Sequence, residues 1–167
     1  MASDKPSGGN PEIVIMGTFF FAILLSMLNY QESIQSMIPN WVLLIVIYWC
    51  LVAPDRFSMF TAWCVGLLLD ILNLTILGQH ALSFAVAALI VSMVTPRALN
   101  YPLWLQCFFV MALCLFVMGF EFWLNHLAFG YEFSMLNWQS VIVAGLIWPF
   151  LRVILGKAWI HPDSRND

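Results

Sequence analysis

The sequence predicts an all-α membrane protein, a compact bundle of six transmembrane helices with both termini in the cytoplasm. Three observations predict it. Hydrophobic residues make up 62% of the 167 residues and charged residues only 9%, against roughly 45–50% and 25% in a soluble domain. Turn residues and prolines cut the chain into six apolar segments. The few basic residues fall in the head, in alternate connections between those segments, and at or beyond the end of the last one. The composition also excludes other classes. Disordered chains are polar and charged, and a net charge of −3 does not suit a nucleic-acid binder.

The first segment spans residues 13–28, after a polar head at residues 1–12. That head carries one Lys beside two acids, and no Ala-x-Ala cleavage pattern follows, so the segment is expected to be a retained span. The second segment covers 41–53, between Pro39 and Pro54, and the third 57–72. The fourth covers 81–94 and is expected to end at Thr95-Pro96. The fifth and sixth cover 103–127 and 138–155, before a tail at 156–167. Helices are expected because backbone in lipid must satisfy its own hydrogen bonds. A barrel strand would alternate apolar and polar, and the run Val42-Leu43-Leu44-Ile45-Val46-Ile47 does not.

A full crossing takes about 20 residues, so the second and fourth segments are short. Residues 34–38 and 74–77 are available to lengthen them, or the bilayer thins locally. A re-entrant hairpin of the second and third segments is the rival arrangement. The basic residues favour six crossings. Lys5, Arg56, Arg97, Arg152, Lys157 and Arg165 then all lie on one side, and the other three connections hold no Lys or Arg. The positive-inside rule makes that side cytoplasmic.

Asp70 and Glu121 are the intramembrane carboxylates. Such groups are costly in hydrocarbon and mark function or structural support. Both fall towards the outer ends of their spans. For Asp70 the reading is support, such as capping the following helix, against direct contact with a partner or ligand. For Glu121 it is helix–helix glue, with Asn125 one turn on as its local companion. Both acids are candidates to line one outer pocket. Arg152, near the inner end of the last span, is expected to snorkel to the headgroups, and Pro149 to kink that helix.

Trp41, Trp104, Trp138 and Trp159 mark span ends, whereas Trp49, Trp63, Trp123 and Trp148 lie within spans. The small residues Ala81, Ala85 and Ala88, with Ser83 and Ala87, suit close helix packing. Cys50, Cys64, Cys107 and Cys114 read as packing residues, and the three histidines lack metal-ligand spacing. Asn73-Leu74-Thr75 matches a glycosylation sequon too short to carry weight. No catalytic set, cofactor motif or metal motif is visible.

Three segments in order resemble the MreD family of bacterial rod-shape-determining membrane proteins. The first is Pro39-Asn40-Trp41, continuing to Tyr48-Trp49 and then Pro54 and Arg56; the second is Gly66-x-x-x-Asp70 followed by Leu77-Gly78 and Ala81; the third is Trp148-Pro149. The resemblance runs over residues 39–155. It implies a non-enzymatic scaffold of the elongation (Rod) complex in the inner membrane of a rod-shaped Gram-negative bacterium. The implied partners are MreC directly, and MreB, RodA and a class B penicillin-binding transpeptidase in the wider complex. The family's six-helix arrangement is also similar to the substrate-binding subunits of energy-coupling-factor transporters. A small-molecule-binding transporter subunit is therefore the alternative, although fold alone does not fix function.

Overall fold

The structure is a computed structural model that describes residues 11–28, 37–98, 101–129 and 138–158. The described residues form six α-helices and no strand: α1 (Pro11–Met27), α2 (Trp41–Val52), α3 (Met59–Asn73), α4 (Gln79–Ala98), α5 (Leu103–Phe129) and α6 (Trp138–Ala158). By length and apolar composition two of them, over Leu103–Ala128 and Trp138–Lys157, are able to cross a membrane. The apolar parts of the other four are shorter.

Two boundaries correct the sequence reading. Thr95-Pro96 does not end the fourth helix, which runs on to Ala98. Proline removes one backbone donor, here the one that would serve the Ser92 carbonyl in the last turns. The Thr95 hydroxyl meanwhile bonds the Val91 carbonyl at 2.8 Å. Nor do residues 74–77 lengthen that helix. Leu74 takes a left-handed conformation (φ 53°) that stops α3, and α4 starts only at Gln79. Residues 34–36 lie outside the described residues, and 37–40 are not helical.

The helix order follows from local chemistry. Asn40 caps α2, its Oδ1 accepting from the Leu43 amide at 3.1 Å. α2 ends where Ala53 leaves helical geometry, before the exposed turn at Pro54, Asp55 and Arg56. Phe57 then turns inward and stacks on Phe19 of α1 at 5.2 Å between ring centroids. α3 and α4 form the most intimate pair, and α5 and α6 a second hairpin.

α2 is the centre of the bundle. It packs against α1, α4, α5 and α6, and ten of its twelve residues are buried. A helix apolar all round needs such burial. Trp49 donates its indole N–H to the Thr18 hydroxyl of α1 at 3.0 Å. Tyr48 meets Trp148 of α6 edge-on at 6.5 Å. The small residues Ala81, Ser83, Ala85, Ala87 and Ala88 of α4 are all buried.

The outer surface inverts the soluble pattern. Large apolar side chains such as Phe20, Phe60, Met93, Phe108 and Phe150 are exposed. They occur on every helix except α2. Apolar exposure on this scale is what a lipid solvent selects.

Candidate functional site

The last turns of α3 place Gly66 and Asp70 one helical turn apart on the same face. The chain reverses through Leu74 and through Gly78, whose φ of 98° suits glycine. That reversal sets the first turn of α4 against the face carrying Gly66 and Asp70. A side chain at position 66 would place its Cβ 2.5 Å from the His80 carbonyl oxygen and 2.6 Å from the Ala81 backbone. Glycine is what lets the two helices touch.

Asp70, 1% exposed, fills the end of α4. Its Oδ1 accepts from the His80 amide at 2.9 Å and the Thr75 hydroxyl at 3.0 Å. Its Oδ2 accepts from the Gly78 amide at 2.9 Å and the Ala81 amide at 3.2 Å. The first amides of a helix have no intrahelical partner and carry its positive end. One carboxylate satisfies three backbone amides in this turn. Thr75, of the sequon, is thus a bonded part of this turn.

His80 extends the system. Its Nδ1 lies 2.8 Å from Asp70 Oδ1. Because the carboxylate accepts, Nδ1 carries the hydrogen. Nε2 then faces Glu121 of α5, 3.9 Å from Oε1. Ser83 has one hydroxyl hydrogen and two acceptors, the His80 carbonyl at 3.1 Å and Glu121 Oε1 at 2.9 Å. The shorter, charge-assisted contact is to the carboxylate. Asn125 does pair with Glu121, but through the backbone: its Nδ2 donates to the Glu121 carbonyl at 2.9 Å.

Glu121 also borders a cavity of about 260 Å³ at this end of the bundle, with Ser26, Asn40, Val117, Ser140 and Ala144 among its other walls. Asp70 does not line it. The two acids are linked through His80 and do not share a pocket, because Asp70 is consumed by the α4 terminus.

The remaining sequence-selected residues divide between the core and the opposite end. Pro39, Tyr48, Trp49 and Trp148 are buried, and Trp41 is half-buried. The Trp148 indole nitrogen has no hydrogen-bond partner among the described residues. Pro54, Arg56 and Leu77 are exposed. Helix α6 continues through Pro149. Arg152 turns to the protein, donating Nη1 to Gln106 Oε1 on α5. Gln106, 4% exposed, passes its own Nε2 hydrogen to the Tyr101 carbonyl at 2.9 Å.

Sequence reasoning missed His80, Ser83, Thr75 and Gln106 as polar partners. His80 sits ten positions beyond Asp70, across a non-helical turn, so no helical periodicity connects them. Its position at the start of an apolar run, soon after Gly78, was the available signal.

The family of rod shape-determining protein MreD matches residues 10–158. Rod shape-determining protein MreD of Haemophilus influenzae is 29% identical over 150 residues, covering 86% of this chain and 88% of that protein. No solved structure matches. The match takes in all six helices and both ends of the polar system around Asp70, and the chain belongs to the MreD family of rod shape-determining membrane proteins.

Proposed function

We propose that the chain is a non-enzymatic scaffold of the cell-elongation machinery in the bacterial inner membrane. It crosses the bilayer six times, keeps both termini in the cytoplasm, binds MreC, and helps couple MreB to peptidoglycan synthesis by RodA and a class B penicillin-binding transpeptidase. The observation that carries this reading is the family match over residues 10–158.

Physical features support it. The six Lys and Arg residues fall in the head, in alternate connections, or at and beyond the inner end of the last span, as cytoplasmic orientation requires. The short α2 is shielded by protein, so it need not match the thickness of the lipid. Five helices offer apolar faces to lipid or to partner helices. A scaffold needs rigid helices, and the Asp70 turn, the Asn40 cap and the Tyr48–Trp148 contact supply rigidity.

The test is to replace the native copy in rod-shaped cells with a tagged full chain, solubilise gently, and identify what co-purifies. MreC is the expected companion, and depletion of the chain is expected to round the cells. Normal amounts of tagged chain without MreC, together with unchanged rod shape on depletion, refute the reading.

A further inference from the structure

The cavity at the outer end of the bundle carries an inference independent of MreC binding. Its volume, about 260 Å³, lies just below the range of about 300–1,000 Å³ typical of small-molecule pockets. Its walls are mixed: Ser26, Asn40 and Ser140 are polar, and Leu25, Val117 and Ala144 are apolar. Among the described residues Glu121 is the only charged one that lines it.

Glu121 is held in place and half used. Ser83 bonds Oε1, and His80 faces the same oxygen. Oε2 accepts no hydrogen bond from any described residue. His80 is itself fixed by Asp70, so the carboxylate is oriented from behind through α4. No Lys or Arg lies in the three connections at this end, which contain Glu32 and Glu132 instead. A carboxylate with an open acceptor, in a recess with partly apolar walls and no Lys or Arg among its described lining residues, has the chemistry of a site for a cation on a hydrocarbon stem.

We infer that this cavity binds an aliphatic ammonium group, the nitrogen on Glu121 and the stem against Val117 and Ala144. A phosphate would find no basic side chain among the lining residues. The same chemistry could be presented by a soluble amine or by an aminolipid headgroup, and the test separates these.

Full-length protein in a neutral detergent is titrated with n-butylammonium chloride while its unfolding temperature is followed. Equimolar n-butanol supplies the stem without charge, and sodium chloride supplies charge without the stem. A saturable rise with butylammonium, absent with both controls, is expected. Glu121→Gln keeps the shape and an acceptor for Ser83 but removes the charge. It is expected to weaken the response about tenfold or more, as loss of a charge-assisted bond does.

Putrescine in detergent, and phosphatidylethanolamine in otherwise phosphatidylcholine vesicles, then tell a soluble amine from a lipid one; a Glu121-dependent rise with either one supports the inference. Ser140→Lys against Ser140→Met gives a reading that does not need the Glu121 variant to fold. The tethered ammonium is expected to raise the unfolding temperature above that of the uncharged side chain of similar length. No response to any of the three amines, an equal response in Glu121→Gln, or a Lys variant no more stable than the Met variant overturns the inference.

Discussion

Replacing Asp70 with alanine tests the central structural argument. The substitution leaves the Gly78, His80 and Ala81 amides without their acceptor, at 2.9, 2.9 and 3.2 Å in the intact turn. It also frees the Thr75 hydroxyl and the His80 ring N–H. Each buried donor left unpaired costs about 1–3 kcal/mol, while a helix cap alone is worth about 0.5–2 kcal/mol. Relaxation of the loop recovers part of the sum, so the expected loss is about 3–5 kcal/mol. For a chain of this length about 2–4 °C in unfolding temperature corresponds to each kcal/mol, which gives a fall of about 6–20 °C. Asp70→Asn is expected to recover little. Its amide nitrogen would face either the Gly78 and Ala81 amides or the donors on Oδ1, and it cannot accept from them. The assay is thermal unfolding of the purified full chain in detergent, followed by helical circular dichroism. An Asp70→Ala protein that unfolds within about 1 kcal/mol of the native chain refutes the capping argument. If that stable protein also failed to support rod shape, Asp70 would be assigned to a partner contact instead.

Gly66→Ala puts a Cβ 2.5–2.6 Å from the backbone of α4 and must pry α3 from α4. The expected loss is about 2–3 kcal/mol, at the upper end of overpacking, and unfolding within experimental error of the native chain contradicts the close contact. Thr18→Val keeps the shape but removes the acceptor of the Trp49 indole. It is expected to cost about 1 kcal/mol, and a double-mutant cycle with Trp49→Phe should show coupling. Arg152→Ala breaks the bond to Gln106 and should cost about 1–2 kcal/mol, after discounting a charged hydrogen bond for partial exposure. If Arg152 only served the headgroups, Gln106→Leu would abolish none of that loss.

The helices were legible because each apolar run is bounded by a cap, a turn or a proline. Pro39 and Pro54, bracketing residues 41–53, placed α2 to within a residue. Pro96 misled because a proline costs one hydrogen bond, and near a helix end that loss does not force termination. The spacing of Gly66 and Asp70 was legible as one face of one helix. What faces them was not. The reversal depends on Leu74 in a left-handed conformation, which leucine gives no reason to expect. The link from Glu121 to Ser83 spans 38 positions, and no local pattern encodes a contact between separate hairpins. For the same reason the choice between an inward and a snorkelling Arg152 rested on Gln106, 46 positions away.

The short central helix shows how these separate features belong together. Twelve residues of α2 rise only about 18 Å, against about 30 Å of hydrocarbon. If lipid surrounded it, its terminal amides and carbonyls would be left unpaired in hydrocarbon, which costs several kcal/mol per group. Protein answers at both ends instead. Asn40 accepts from the Leu43 amide at the start. At the other end the Thr95 hydroxyl of α4 comes within 3.4 Å of the Cys50 carbonyl, sharing its one hydrogen between that carbonyl and the nearer Val91 carbonyl at 2.8 Å. α4 can make that contact only if it is held in register beside α2, and its opposite end is anchored by Asp70 and set against Gly66. The carboxylate on α3, itself buried, therefore supports α2 through α4. That is the physical reason to read Asp70 as a determinant of the scaffold's shape, and to look for ligand chemistry at Glu121, whose carboxylate the fold leaves partly unused.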